Sequence, residues 1–154
     1  MFKKSLTLFL FLFLSSCGYE SIHSKKNTLK YDFSISKLNF IGDRNVNLVM
    51  KQRLNNYTLT KKDRNFTLKI LSTVEKVVLA KDGSGDPTSF KSIVSIKVEI
   101  LMKNKIKNTI NIVESFSYNN NSNKFSLKRY ENEIKNNLAE TASEKLVFKL
   151  SNIQ

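Results

Sequence analysis

The sequence predicts an α+β fold: a two-layer sandwich in which a four-stranded mixed sheet packs against two helices, in the order β-α-β-β-β-α. Three observations carry this. From residue 66 to residue 118, three successive runs alternate apolar and polar side chains, the pattern of strands with one buried face. Segments 44–57 and 126–150 instead space their apolar residues three or four apart, as helices with one buried stripe do. A further alternating run, 32–42, is separated from the other three by the shorter helix, which permits a parallel pairing and hence a mixed sheet.

The first residues stand outside this pattern. Leu6–Leu14 is an apolar block interrupted only by Thr7. As a helix it would span roughly 14 Å at ~1.5 Å per residue, too short for a bilayer core of ~30 Å. Lys3 and Lys4 precede it and Ser15-Ser16 follow it, the layout of a secretory signal. Next comes Cys17, the chain's single cysteine, so an intramolecular disulfide is excluded. Leu14-Ser15-Ser16-Cys17-Gly18 resembles a bacterial lipobox, which implies cleavage between Ser16 and Cys17 and lipidation of Cys17. Two or more acyl chains hold a protein stably to a membrane. Residues 1–16 are therefore expected to be a signal peptide that is removed. Residues 17–31 would be the lipidated N-terminus and a polar tether, and residues 32–154 a single domain. The lone His23 falls in the tether and has no partner for metal or catalytic work.

Within the domain, Asp32–Gly42 reads as the first strand. Phe33 and Ile35 share one parity while Leu38 and Phe40 share the other, so a bulge is expected between them, and Gly42 ends the strand. Asp43 is placed to cap a helix whose stripe is Val46, Val49, Met50, Leu54 and Tyr57. Phe66, Leu68, Ile70 and Val74 mark the next strand, with Leu71, Val77 and Leu79 breaking its parity. Phe90, Val94, Ile96, Val98, Ile100 and Met102 mark a long strand whose other parity carries Lys91, Lys97, Glu99 and Lys103. A turn at Lys103-Asn104-Lys105 leads into Ile110, Ile112, Phe116 and Tyr118, which makes an antiparallel meander. The last helix is expected from Ser126, as its cap, to Leu150, with Leu127, Tyr130, Ile134, Leu138, Ala142 and Leu146 on its apolar stripe. The tract Asn119–Asn123 reads as a surface loop.

The formal charge is +13. Loss of residues 1–16 removes Lys3 and Lys4 and no acid, leaving +11. In an exported protein this favours anionic lipid or glycolipid over nucleic acid, unless the excess only reflects a chain rich in Lys, Asn and Ile. No Cys/His cluster, Ser-His-Asp set or phosphate-binding loop is present, so neither a metal, a cofactor nor an enzymatic reaction is expected. Asp82-Gly83-Ser84-Gly85-Asp86-Pro87 places Asp, Ser and Asp at alternate positions, as a calcium loop does. Pro87 occupies the position where such a loop needs glycine, so a tight turn is the better reading. Cations near loops include Lys76, Lys81, Lys91, Lys103, Lys105 and Lys124, with Lys128 and Arg129 at the start of the last helix.

The lipobox running into Cys17-Gly18-Tyr19, the element order, the hairpin LAKDGSGDPTSF and the segment SFSYNNNSNKFSLKRYENEI together resemble the LPS-assembly lipoprotein family (LptE, also RlpB) of alphaproteobacterial type. The resemblance spans essentially the whole chain. Many members carry a proline shortly after the cysteine, where this chain has Glu20-Ser21-Ile22. The resemblance implies a protein anchored on the periplasmic face of the outer membrane. It would plug the LPS translocon β-barrel (LptD), help that barrel fold, and bind lipopolysaccharide without catalysing a reaction. Lys81, Lys91, Lys103 and Lys105, at the expected hairpin ends, are the candidate lipopolysaccharide contacts. The alternative is an unrelated envelope lipoprotein that acts as a scaffold or a small lipid carrier.

Overall fold

The computed structural model describes residues 31–102 and 105–153. Cys17, the signal segment, the tether up to residue 30 and Lys103 lie outside the described residues. The chain order is β1 (Ser34–Gly42), α1 (Arg44–Leu54), a 3₁₀ turn (Asn55–Tyr57), β2 (Asn65–Lys81), β3 (Pro87–Met102), β4 (Lys105–Asn119) and α2 (Lys124–Ser151). The sheet order is β1-β2-β3-β4, with β1 parallel to β2 and the other two pairings antiparallel. The expected mixed sheet and element order are both present.

Each element follows from its residues. In β1 the register slips between Ile35 and Lys37, so Ser36 is the bulge residue that carries the apolar parity from odd to even. Gly42 closes the strand at φ 104°, and a Cβ there would sit 1.9 Å from the Ser72 carbonyl oxygen. Only glycine allows β1 to lie this close to β2 and then turn into α1. Asp43 Oδ1 accepts from the amides of Asn45 and Val46, each at 3.0 Å, the expected N-cap.

The buried stripe of α1 is Val46, Met50 and Leu54. Both helices lie on the same face of the sheet, because β2 and β3 bury their even-numbered residues and leave the odd ones to the other side. Phe66, Leu68, Ile70, Val94, Val98 and Ile100 are fully buried beneath Ala139, Ala142, Leu146 and Leu150 of α2. In β2 the even parity passes through Ser72, which is buried and bonds Asn47 Oδ1 of α1 at 2.8 Å.

Three sequence expectations are corrected. The cap of the last helix is Asn123, not Ser126: its Oδ1 accepts from the Ser126 amide at 3.0 Å, so the helix starts at Lys124. Asparagine caps as well as serine does, and its place at the end of an asparagine tract concealed it. Lys105 is not in the turn but pairs with Met102 as the first residue of β4. Phe116 and Tyr130, expected in the core, are 47% and 44% exposed. The reason is coverage. Gly42 pairs with Ser72, which pairs with Ile96, so β1 and α1 cover only one half of the long strands. The other half is a three-stranded extension covered by the start of α2 alone. Val78 and Leu79 stay exposed there for the same reason, whereas Val77 lies on the odd-numbered outer face.

Candidate functional site

The long hairpins give the sheet two unlike ends. At about 3.3 Å per residue, the 16 residues of β3 set these ends roughly 50 Å apart. At the far end, the tip, lies the β2–β3 turn. Asp82 Oδ1 accepts from the amides of Ser84 and Asp86, each at 2.9 Å, and Gly85 supplies a positive φ of 89°. The Asp82 carboxylate is thus occupied in forming a tight turn. Asn120 holds the end of β4 against this hairpin, with its amide on Thr88 O and its side chain on Pro87 O.

An open cleft of about 630 Å³ lies beside the tip. Leu79, Phe116, Tyr118 and Tyr130 give it apolar walls, and Asn120 and Asn121 give it a polar rim. Phe125, 79% exposed, stands on the first turn of α2 nearby.

Beneath the cleft, α2 is tied to the sheet by a polar cluster that the sequence reading did not single out. Glu131 Oε1 takes Lys76 Nζ at 2.5 Å and the Tyr118 hydroxyl at 3.0 Å. Lys76 Nζ also sits 3.8 Å from the centroid of the Phe90 ring. Burial alone would raise the Glu131 pKa. Hydrogen bonds from Lys76 and Tyr118, with the charges of Lys76 and Lys128, outweigh it and hold Glu131 below its ordinary 4.5. Tyr118 is pushed above its ordinary 10.0, first by burial and then by the bond to Glu131 and its charge. The cluster keeps one fixed protonation pattern across the neutral range: Tyr118 donates, Glu131 accepts. Lys76 is therefore a structural cation, already paired.

The four candidate contacts do not form one site. Lys81 ends β2 at the tip, and Lys91 pairs with Val77 and Ser117 in the three-stranded extension. Lys105 lies at the opposite end of β3, beside Met102. Lys103 lies outside the described residues. Lys124, Lys128 and Arg129, noted in the sequence as cations at a helix start, are on the N-terminal turns of α2 at the tip.

The opposite end, the base, gathers the start of the domain, the end of α2, the α1–β2 connection and the start of β4. Tyr31 packs on Phe33 and Tyr57, with ring centroids 5.9 Å and 6.1 Å away. Lys62 Nζ bonds the Tyr31 carbonyl. Arg64 fastens both ends of the domain, donating to Asp32 O at 2.8 Å and, through one terminal nitrogen, to Ser151 O at 3.2 Å and Ile153 O at 2.9 Å. Sequence reading did not single out Arg64, because nothing local marks an arginine whose partners are carbonyls distant in sequence.

No protein-family model matches the chain, and no curated protein sequence matches it. Solved structures do share its fold. The rare lipoprotein B of Shewanella oneidensis superposes with a TM-score of 0.57 at 14% identity, over 75% of this chain and 93% of that one. A minor lipoprotein from Acinetobacter baumannii gives 0.60 at 15% identity, over 79% and 91%. Lipoprotein B from Nitrosomonas europaea gives 0.55 at 11%, over 79% and 86%. Identities this low speak for architecture alone, and there the resemblance read from the sequence is met: the chain has the rare lipoprotein B fold.

Proposed function

We propose that this chain is a lipid-anchored envelope protein of the LPS-assembly class. It would be held at Cys17 to the periplasmic side of the outer membrane, plug the translocon β-barrel LptD, and bind lipopolysaccharide at its tip. The observation that carries this reading is the coincidence, in one chain, of a lipobox ending at Cys17 with the fold of solved lipoproteins. The tip suits an amphiphile. Its cleft offers aromatic and aliphatic walls for acyl chains, while Lys81, Lys91, Lys124, Lys128 and Arg129 offer cations for phosphates. The outer face of the sheet supports a large partner, since it leaves Ile41, Leu71 and Val113 exposed with no helix over them. A lipid-carrier role is less well supported, because the space between sheet and helices is filled by Met50, Ile70, Val98, Ile100 and Leu146. The role is binding and scaffolding, without a reaction or cofactor.

The test is purification of the tagged, lipidated chain from its own membranes in mild detergent, with the partners identified by mass spectrometry. A large outer-membrane β-barrel should be recovered with it, and its absence would sink the plug assignment. Lipid A binding is tested separately with Lys81→Glu/Lys91→Glu. That variant should bind at least tenfold more weakly and melt as the parent does, since surface changes usually alter stability by no more than ~0.5 kcal/mol. Parent affinity should also fall as salt rises, because exposed charges are screened beyond ~8 Å at physiological ionic strength. Affinity indifferent to both salt and the double substitution would remove the tip as the site.

A further inference from the structure

We propose that the base of the sheet is a membrane-seating surface: a basic and apolar end that rests on the anionic phospholipid headgroups of the leaflet that holds the anchor. The proposal extends the reading of Cys17 as lipid-anchored, and four observations lead to it.

The first is position. The described domain begins at Tyr31, at the base, where Lys62 bonds its carbonyl. Residues 17–30 reach at most roughly 50 Å even when fully extended, at ~3.3–3.6 Å per residue. The base is thus where the described domain joins the segment that leads to Cys17.

The second is charge. The base carries Lys61, Lys62, Arg64, Lys105, Lys107 and Lys149 against Asp32 and Asp63, and the next acid, Glu99 three residues up β3, is already paired with Lys69 and Lys97. At the tip, by contrast, Glu75, Asp82, Asp86, Glu131 and Glu133 offset most of the cations. The excess is local rather than spread evenly by composition. None of these base cations makes an ion pair with a carboxylate among the described residues; every described pair lies elsewhere on the domain.

The third is exposed apolar surface among those cations. Leu59 is 72% exposed in the α1–β2 connection, Ile106 61% on the first residues of β4, and Phe148 63% near the end of α2. Lysines interleaved with exposed Leu, Ile and Phe are the composition of surfaces that sink into the headgroup region.

The fourth is footprint. Adjacent strands lie ~4.8 Å apart, so four strand ends span only about 15 Å, and a single membrane plane can meet all of these groups together. Each basic residue near an anionic leaflet improves partitioning about fivefold, so three of them contribute on the order of 100-fold. Lys105, a lipopolysaccharide candidate by sequence, belongs to this surface.

The experiment uses the mature chain, residues 17–154, with Cys17→Ser, so that no lipid contributes. It is mixed with phosphatidylcholine vesicles that either contain or lack phosphatidylglycerol, and co-sedimentation is measured. The parent should bind only the phosphatidylglycerol vesicles and release as salt rises. Lys61→Gln/Lys105→Gln/Lys107→Gln should lose on the order of 100-fold in partitioning, whereas Arg44→Gln/Lys97→Gln, halfway along the sheet, should bind as the parent does. Circular dichroism melts check that the variants are folded. The native chain has no tryptophan, so Ile106→Trp provides a second reading that does not depend on the triple variant folding. Its emission should shift to the blue on phosphatidylglycerol vesicles, and that of Phe125→Trp should not. Binding that ignores phosphatidylglycerol, equal losses from the base and mid-sheet variants, or an unshifted Ile106→Trp would each overturn the proposal. The vesicles contain neither a β-barrel nor lipopolysaccharide, so failure of the translocon reading would leave this result standing.

Discussion

Replacing Gly42 by alanine tests the joint on which the fold turns. Gly42 lies at φ 104°, outside the region open to side-chain-bearing residues, and its added Cβ would stand 1.9 Å from the Ser72 carbonyl oxygen. That oxygen belongs to the residue paired with Gly42 across the parallel ladder, and it accepts the Asp43 amide at 3.2 Å. Backbone held in such a region costs about 1–3 kcal/mol. Separating the strands enough to admit a methyl group also loses the Asp43–Ser72 bond, worth about 1 kcal/mol. The sum is roughly 2–4 kcal/mol, which for a domain of this size lowers the melting temperature by about 8–15 °C. The assay is thermal denaturation followed by circular dichroism, with Gly83→Ala as control. Gly83 sits in the β2–β3 turn with nothing within 4 Å of an added Cβ, so that change should stay within about 0.5 kcal/mol of the parent. If Gly42→Ala melts within a few degrees of the parent, or Gly83→Ala is as damaging, the argument from close approach is wrong.

Other expectations are as direct. Ile96→Asp places an unpaired carboxylate in the core, where the side chain is 2% exposed, and should unfold the domain, whereas Lys97→Asp on the open face should shift melting only slightly; equal damage in melts would deny that only one face is covered. Because Glu131 titrates below its unfolded value, its stabilisation is complete above about pH 4.5 and is lost as pH falls through its lower, folded pKa. Glu131→Gln should therefore flatten the acid limb of a stability-versus-pH curve, and a curve parallel to the parent's would refute the cluster's role. Cys17→Ala should abolish lipid attachment, which mass spectrometry of the mature N-terminus reads directly; an unmodified Cys17 in the parent would end the anchoring claim.

The fold was largely legible because its signals are local. The Ser36 bulge is visible as a parity change between Ile35 and Leu38, the Asp43 cap as an acid before an apolar stripe, and the sheet's inner face as an even-numbered run from Phe90 to Ile100. What failed was long-range. The sequence does not reveal that β1 stops opposite the middle of β3, so it could not distinguish Ile96 in the core from Phe116 at the rim, though both lie on the even parity of their strands. The same limit affected the site. Lys81 and Lys105 both read as hairpin-end cations, and hairpin ends alternate between opposite ends of a meander, so residues alike in sequence context lie some 50 Å apart by strand length. Glu131 escaped notice because its partners, Lys76 and Tyr118, lie on other elements.

That separation bears on how a small domain with a marked basic excess divides its contacts. A uniformly basic surface would bind any anion in any orientation. Here the base carries Lys61, Lys62, Arg64, Lys105, Lys107 and Lys149 against Asp32 and Asp63, and the described domain begins there at Tyr31. At the tip, Lys76 is paired with Glu131, and Glu75, Asp82, Asp86 and Glu133 lie among the remaining cations and offset most of them. On the proposed seating, electrostatic attraction to an anionic leaflet acts mainly on the base. The tip is the end farthest from that contact, roughly 50 Å from the base by the length of β3. In its cleft, Tyr118 is held by Glu131 and meets Tyr130 edge-on, with ring centroids 6.1 Å apart. Rigidity matters there, because a site that is ordered before binding does not lose that ordering free energy from its affinity. On the proposed reading, the two ends divide the work: the polar cluster orders the cleft at the tip, and the basic base seats the domain.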